Sequence, residues 1–192
     1  MRQTKLSMYI EMALFASMAS ILDKLTIDFM PQGGGVSLAI IPIALIAVRW
    51  GFVAGCTTGL LVGLVDVATG VTVYHWAQVF LDHCLANIVI GLIALCNKPI
   101  HEALRTKKKR RMQLTVATAM IFVCFCKFIV HVVSGVIFFG MYANGQNVWI
   151  YSIVYNATPI IPTTIVCVVC FNMLLLAAPK LVQRSKHAMA MS

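Results

Sequence analysis

Six long apolar stretches, joined by short polar segments, decide what this chain is able to fold into. They run Leu6–Leu25, Val36–Val48, Gly51–Thr69, Trp76–Cys96, Leu114–Phe139 and Val148–Leu176. About 20 such residues cross the hydrocarbon core of a bilayer as a helix. The expected class is therefore all-α: a polytopic membrane protein of six transmembrane helices, folded as a single domain over residues 1–192. Charge supports this, because only 15 Lys or Arg and 6 Asp or Glu occur among 192 residues, whereas about a quarter of a soluble domain is charged. With a mean hydropathy of +0.90, the chain is excluded from the soluble globules, the disordered tails and the nucleic-acid-binding domains.

The placement of the basic residues sets the expected orientation. Val36–Val48 is only 13 residues long, short enough for a half-span. If it crosses, then Arg2, Lys5, Arg49, Lys98, Arg105, Lys107, Lys108, Lys109, Arg110, Arg111, Lys180, Arg184 and Lys186 fall on one side. Only Lys24 and Lys127 do not. Cytoplasmic loops carry the excess of Lys and Arg, so both termini and a basic loop over residues 97–113 are expected in the cytoplasm. Contact of that loop with anionic lipid headgroups follows from the same charge. The basic start and following apolar run resemble a signal peptide, but Glu11 interrupts the apolar core, so a retained first helix is expected.

Seven cysteines all lie in or at the end of apolar stretches. Even the Cys167–Cys170 pair lacks the polar surroundings that hold a thiolate, so all seven read as small buried apolar residues, and neither a metal nor a cofactor is expected. Gly55, Gly59 and Gly63 repeat every four residues, a smooth face for close helix contact. On the first helix Ala13/Ser17 and Ala16/Ser20 have the same spacing.

A charge at bilayer depth costs about 2.5–3.5 kcal/mol on insertion scales and faces a cavity or a partner. Asp66, Asp82, His83, Lys127 and His131 qualify, although Asp66 is close enough to its helix end for simple solvation. Lys127, His131, Gly135 and Phe139 are spaced by four, as are Gln78, Asp82 and Ala86, Tyr151 and Tyr155, and Ser152 and Asn156. Such spacing keeps side chains on one slowly winding helical stripe. Three stripes in the outer halves of three helices predict one polar pocket opening outward; mutual hydrogen bonding inside the core is the alternative. A carboxylate among imidazoles, an amide and aromatic rings suits a small, flat, partly cationic heteroaromatic, since a desolvated cation–π contact contributes about 2 kcal/mol. Lys127 fits beside a cation only if Asp82 or Asp66 pairs with it. The glycine loop Pro31–Gly35, carrying Gln32, either folds as a plain turn or brings backbone close to a ligand.

The segments MPQGGGVSLAIIPI, QVFLDHCLA and KFIVHVVSGVIFFGMYANGQNVWIYSIVYN, with the basic loop between the fourth and fifth helices, resemble the thiamine-specific S components of energy-coupling factor (ECF) transporters. The resemblance implies six helices with cytoplasmic termini and thiamine held near the outer face beneath the loop between the first two helices. It also implies dependence on a membrane coupling subunit and two ATPases, with small residues of the first helix docking on the former, and toppling of the S component in the bilayer. Carried over, Asp82, Lys127, His131, Gly135, Phe139, Tyr151, Ser152 and Asn156 take ligand positions, joined by His83 and the loop residue Gln32. Ala13, Ala16, Ser17 and Ser20 take the docking face. The chain departs where His83 and Cys84 follow the acidic residue, which is commonly followed by tyrosine, and where Trp76 replaces a smaller residue. A precursor or analogue of thiamine is the alternative ligand that these departures leave open, and another vitamin is the rival within the class.

No GxxxxGK[ST] phosphate loop, HExxH or Gly-x-Ser-x-Gly motif is present, so no ATP hydrolysis or enzyme chemistry is expected from those routes. The remaining alternative is an ion-coupled carrier acting alone, with Asp82, His131 and Lys127 as a proton relay; the lack of a clear internal repeat weighs against it.

Overall fold

The computed structural model describes residues 2–26, 29–31 and 34–183, with side chains from residue 5 onward. Among these residues every regular element is helical. The main ones are α1 (Arg2–Lys24), α2 (Ile40–Trp50), α3 (Phe52–Ala68), α4 (Trp76–Arg105), α5 (Lys109–Phe138) and α6 (Val148–Ala177). Four of them (α1, α4, α5 and α6) are long and apolar enough to cross a bilayer unaided. These helices contain most of each apolar stretch, with α4 running past Cys96 to Arg105 and α5 starting ahead of Leu114 at Lys109.

From α2 onward, consecutive helices are joined by short segments and pair antiparallel. The clearest seam lies between α3 and α4. A Cβ on Gly55 would meet Ala47 and Gly91, one on Gly59 the backbone of Asn87 and Ile88, and one on Gly63 the backbone of His83 and Cys84. Each step of four along α3 is a step of four back along α4. Glycines let the two backbones touch, which is how helices gain packing energy where no hydrophobic force separates lipid from side chain.

Helix α2 is the centre of the bundle. Eight of its 11 residues, Ile40 and Pro42 through Val48, are buried, so it faces protein rather than lipid. At about 1.5 Å per residue it covers only about half of a 30 Å hydrocarbon core. An extended segment leads into it. There the Gly35 carbonyl accepts from Thr163 Oγ1 at 3.4 Å and the Ser37 carbonyl from Cys167 Sγ at 3.6 Å, so the segment runs alongside the middle of α6. Non-helical backbone at that depth is tolerated because protein covers it. The positive φ of Gly51 (98°) then turns α2 directly into α3.

The far end of α2 carries a polar clasp. Arg49 pairs with Glu11 of α1 (Nε–Oε2 2.6 Å) and donates to the carbonyls of Lys180, Leu181 and Gln183 at 3.3, 3.0 and 2.8 Å, while Trp50 Nε1 donates to Glu11 at 2.7 Å. Glu11 is thus a paired acid. The same end holds Lys5, Lys98, the α4–α5 joint and Lys180, and both described chain ends. Replacing Arg49 by alanine is expected to destabilise the protein by about 2–3 kcal/mol, since it removes the charged partner of the part-buried Glu11, leaving that carboxylate to Trp50 alone, and the donor to three carbonyls. Lysine, lacking the planar fork, should restore little, as thermal unfolding in detergent would report.

Two expectations need correction. The basic segment 97–113 is not a loop throughout: Asn97–Arg105 continues as helix and only Thr106–Lys108 joins α4 to α5. Ile100 and Ala103 are buried there, while Asn97 Nδ2 and His101 Nε2 reach the last carbonyls of α2, Ala47 and Val48, at 3.0 Å each; these contacts hold the turn helical. The small residues of α1 do not form one exposed face. Ala16 and Ser20 are only 4% and 6% exposed and point into the bundle, leaving Ala13 and Ser17 outside, because the two pairs are offset around the helix. Helix α6 is continuous from Val148 to Ala177, with Pro159 and Pro162 inside it.

Candidate functional site

At the end opposite the basic clasp, a cavity of about 490 Å³ opens among α1, α3, α4, α5 and α6, within the range of small-molecule sites, about 300–1,000 Å³. Asp82, His83, Lys127, His131, Gly135, Phe139, Tyr151, Ser152 and Asn156 all line it. Gln32 lies outside the described residues. Lys24 and Lys127, the two cations that stand apart from the basic end, are both in its wall.

The local backbone explains how Asp82 is presented. It sits in a π-helical turn, Phe80–Leu85, inside α4. Such wider turns re-aim side chains and cluster at functional sites. Gln78 Nε2 donates to Asp82 Oδ2 at 2.8 Å, and His131 Nδ1 meets Asp82 Oδ1 at 3.1 Å. Both carboxylate oxygens are therefore engaged, one from the same helix and one from α5.

Lys127 has a partner that the sequence did not suggest. Its Nζ donates to Asn87 Oδ1 at 2.8 Å, and Asn87 Nδ2 donates onward to the His83 carbonyl at 2.9 Å. Neither Asp82 nor Asp66 is its hydrogen-bond acceptor. Asn87 escaped notice because it stands alone in an apolar run, with no periodic polar neighbour to mark it.

On α5 and α6 the geometry depends on Gly135. A Cβ there would collide with Ser152 Oγ, so glycine is what allows α6 to approach. Ser152 Oγ then donates to the Val132 carbonyl at 2.8 Å, and Asn156 Nδ2 donates to the Ser152 carbonyl at 2.9 Å and to the His131 carbonyl at 3.4 Å. These bonds fix the Asn156 amide and hold the carbonyl of His131.

Aromatic rings surround the outer part of the cavity. Phe139 meets Tyr74 edge-on with centroids 5.1 Å apart and lies 6.2 Å from Tyr142, while Tyr151 and Tyr155 are 5.7 Å apart. Tyr74 comes from the α3–α4 joint, too short a segment to show periodicity. Helix starts beside the mouth are capped: His75 Nδ1 accepts from Ala77 N, and Asn147 Oδ1 accepts from Trp149 N and Ile150 N. Two further acids complete the lining. Asp23 of α1 accepts from Ser37 Oγ at 2.7 Å, and Asp66 of α3 is only 2% exposed. Asp82 is thus one of three carboxylates in the wall.

The site's aromatic rings, carboxylates and fixed amides, enclosed in an apolar helical bundle, define a membrane protein with a cavity of small-molecule size. Residues 9–183 match the family model described as thiamine transporter protein (Thia_YuaJ). The chain belongs to that family of transporters, and is a multi-pass bacterial membrane protein. It is 40% identical over 191 residues to the thiamine transporter ThiT of Bacillus subtilis, covering 97% of this chain and all of that one. The thiamine transporter ThiT of Lacticaseibacillus paracasei is 30% identical over 94% of this chain and 93% of its own. Its fold matches that of solved ThiT from Listeria monocytogenes with a TM-score of 0.88 at 29% identity, over 94% of this chain and 99% of that one.

Proposed function

We propose that this protein is the thiamine-binding S component of an ECF-type importer, receiving thiamine at the outer face and working through a separate coupling subunit and two ATPases. The observation that carries the reading is the convergence of nine residues, foreseen on three helices, around one cavity. Thiamine joins a cationic thiazolium to an aminopyrimidine. Asp23, Asp66 and Asp82 outnumber Lys24 and Lys127 in the wall, so carboxylates are in excess over ammonium groups. That excess favours a monocation, because charges interact strongly where water is excluded. In this reading Phe139 and Tyr151 stack on the rings, and Asp82 accepts from the amino group, a carboxylate having about four acceptor sites of which Gln78 and His131 occupy two. Ser152 and Asn156 keep the α5–α6 wall in place.

Orientation follows from the basic end, which the positive-inside rule assigns to the cytoplasm. Both termini then lie inside, all six helices cross, and the cavity opens outward. Titration of the purified protein with thiamine, followed by tryptophan fluorescence, tests the binding claim; Trp149 stands two residues from Tyr151. Saturation at micromolar thiamine or below supports it, and response only to a precursor or another vitamin replaces the ligand. Protein reconstituted alone in liposomes should bind without accumulating substrate, whatever the proton gradient. Accumulation would establish a self-sufficient carrier instead.

The coupling subunit is proposed to dock on the exposed small residues of α1, Ala13 and Ser17. Ser17→Trp is expected to leave thiamine affinity within about twofold and to reduce uptake by the full complex at least about tenfold, the scale of losing one packed contact of 1.4 kcal/mol. Unchanged uptake would move the docking face elsewhere. Ala16 is unsuitable for this test, since a larger side chain there disrupts the core.

A further inference from the structure

The two side-chain bridges between α4 and α5 are out of step. Asp82 meets His131 and Asn87 meets Lys127, so five residues forward along α4 answer to four residues back along α5. Two regular helices side by side keep equal steps, and Ala86 would then face Lys127. The π-helical turn Phe80–Leu85 falls on this interval, and its wider ring takes up one extra residue. Ala86 is consequently turned into the core and fully buried, while Asn87 stands in the cavity wall. The main chain of Asn87 is fixed from the other side, where Gly59 of α3 packs against its carbonyl.

Both ends of the Asn87 amide are used, and the residue is only 6% exposed. Nδ2 donates to the His83 carbonyl at 2.9 Å, which leaves Oδ1 to accept from Lys127 Nζ at 2.8 Å. A buried ammonium without an acceptor is costly, and Lys127 shares the wall with Asp23, Asp66 and Asp82. A carboxylate partner would cancel the lysine's charge together with its own. An amide oxygen holds the ammonium and leaves the acids uncommitted to it. We propose that Asn87, brought into register by the π-turn, is a positioning residue for Lys127: it ties the ammonium to a neutral acceptor and so keeps it from the acids and from a cationic ligand. Lys127 lies about 18 Å inward along α5 from Phe139, so the lysine is held at the deep end of the cavity.

This proposal rests on thiamine being the ligand, and its experiment keeps the two apart. Fluorescence titration gives thiamine affinities for wild-type protein, Asn87→Leu, Asn87→Asp, Lys127→Met and the Asn87→Leu/Lys127→Met double variant. No binding by wild-type protein ends the functional reading, and this assignment with it. If wild-type protein binds, Asn87→Leu is expected to lose at least about tenfold, because the ammonium turns to the carboxylates. Asn87→Asp keeps an acceptor oxygen for Lys127 but no donor for His83, and should stay within about threefold of wild type. The double variant should match Lys127→Met within about twofold, since Asn87 acts only through the lysine. A role limited to bracing α4 predicts the reverse: Asn87→Asp falls with Asn87→Leu, and the leucine and methionine losses multiply. Either of those results, or unchanged affinity in Asn87→Leu, overturns the proposal. If Lys127→Met abolishes measurable binding, the contrast between Asn87→Leu and Asn87→Asp decides alone. Should Asn87→Leu not fold, recovery of folded protein in the double variant traces the defect to a stranded ammonium and supports the proposal. Continued misfolding there makes Asn87 a structural residue and overturns it.

Discussion

Gly59→Leu is expected to abolish recovery of folded, monodisperse protein. Even the first carbon of the new side chain would overlap the backbone carbonyl of Asn87 and approach the Ile88 amide. A flexible neighbour would turn aside; a main chain in mid-helix has no alternative conformation that keeps its hydrogen bonds. Helices α3 and α4 would have to separate, and with them Asp66 and Asp82, which project from these two helices about two turns and one turn nearer the cavity mouth. Overpacking in cores usually costs about 1–3 kcal/mol. Contact with backbone on a seam of three glycines places this case above that range, so Gly59→Ala should already lower thermal stability markedly. Size-exclusion chromatography in detergent reads the outcome. Full yield with unaltered ligand binding would mean that the seam opens without consequence and that the glycines do not set the helix spacing.

Asp82→Asn is expected to weaken thiamine binding at least about tenfold while the protein remains folded. The carboxylate accepts from Gln78 and from His131 and retains acceptor capacity for the ligand. An amide at this position keeps one acceptor oxygen and presents a donor to the other partner, so one of these contacts is lost or reversed. Hydrogen bonds involving a charged group are worth about 1.5–3 kcal/mol, and 1.4 kcal/mol is a factor of ten. His131 would also lose its tie to α4 and with it the alignment of the α5 wall. Fluorescence titration with thiamine gives the comparison directly. Unchanged affinity would reduce Asp82 to a strut between α4 and α5.

Sequence periodicity located most of the cavity because a polar residue in lipid is costly and must find company. Lys127, His131, Gly135 and Phe139 stand four apart for that reason, and all four line the same space. Periodicity could not identify which residue each would meet. Asp66 looked equally like a solvated helix end, since nothing within α3 says that α4 closes over it. Asn87 and Tyr74 had no repeat around them. The inward turn of Ala16 and Ser20, against the outward turn of Ala13 and Ser17, depends on where α2 and α3 lie rather than on spacing along α1.

What the amino-acid order alone determined was the membrane, the presence of the apolar helices, and the basic end of the bundle. These follow from the hydrophobic length a bilayer demands and from the cost of a charge within it, both properties of one segment at a time. Only the tertiary structure decided that α2 is a central half-length helix with an extended lead along α6, that a π-turn presents Asp82, that Lys127 bonds to Asn87, and that Asp66 is the least satisfied acid of the cavity. Each of these is a relation between segments distant in the chain, fixed by which backbones can touch.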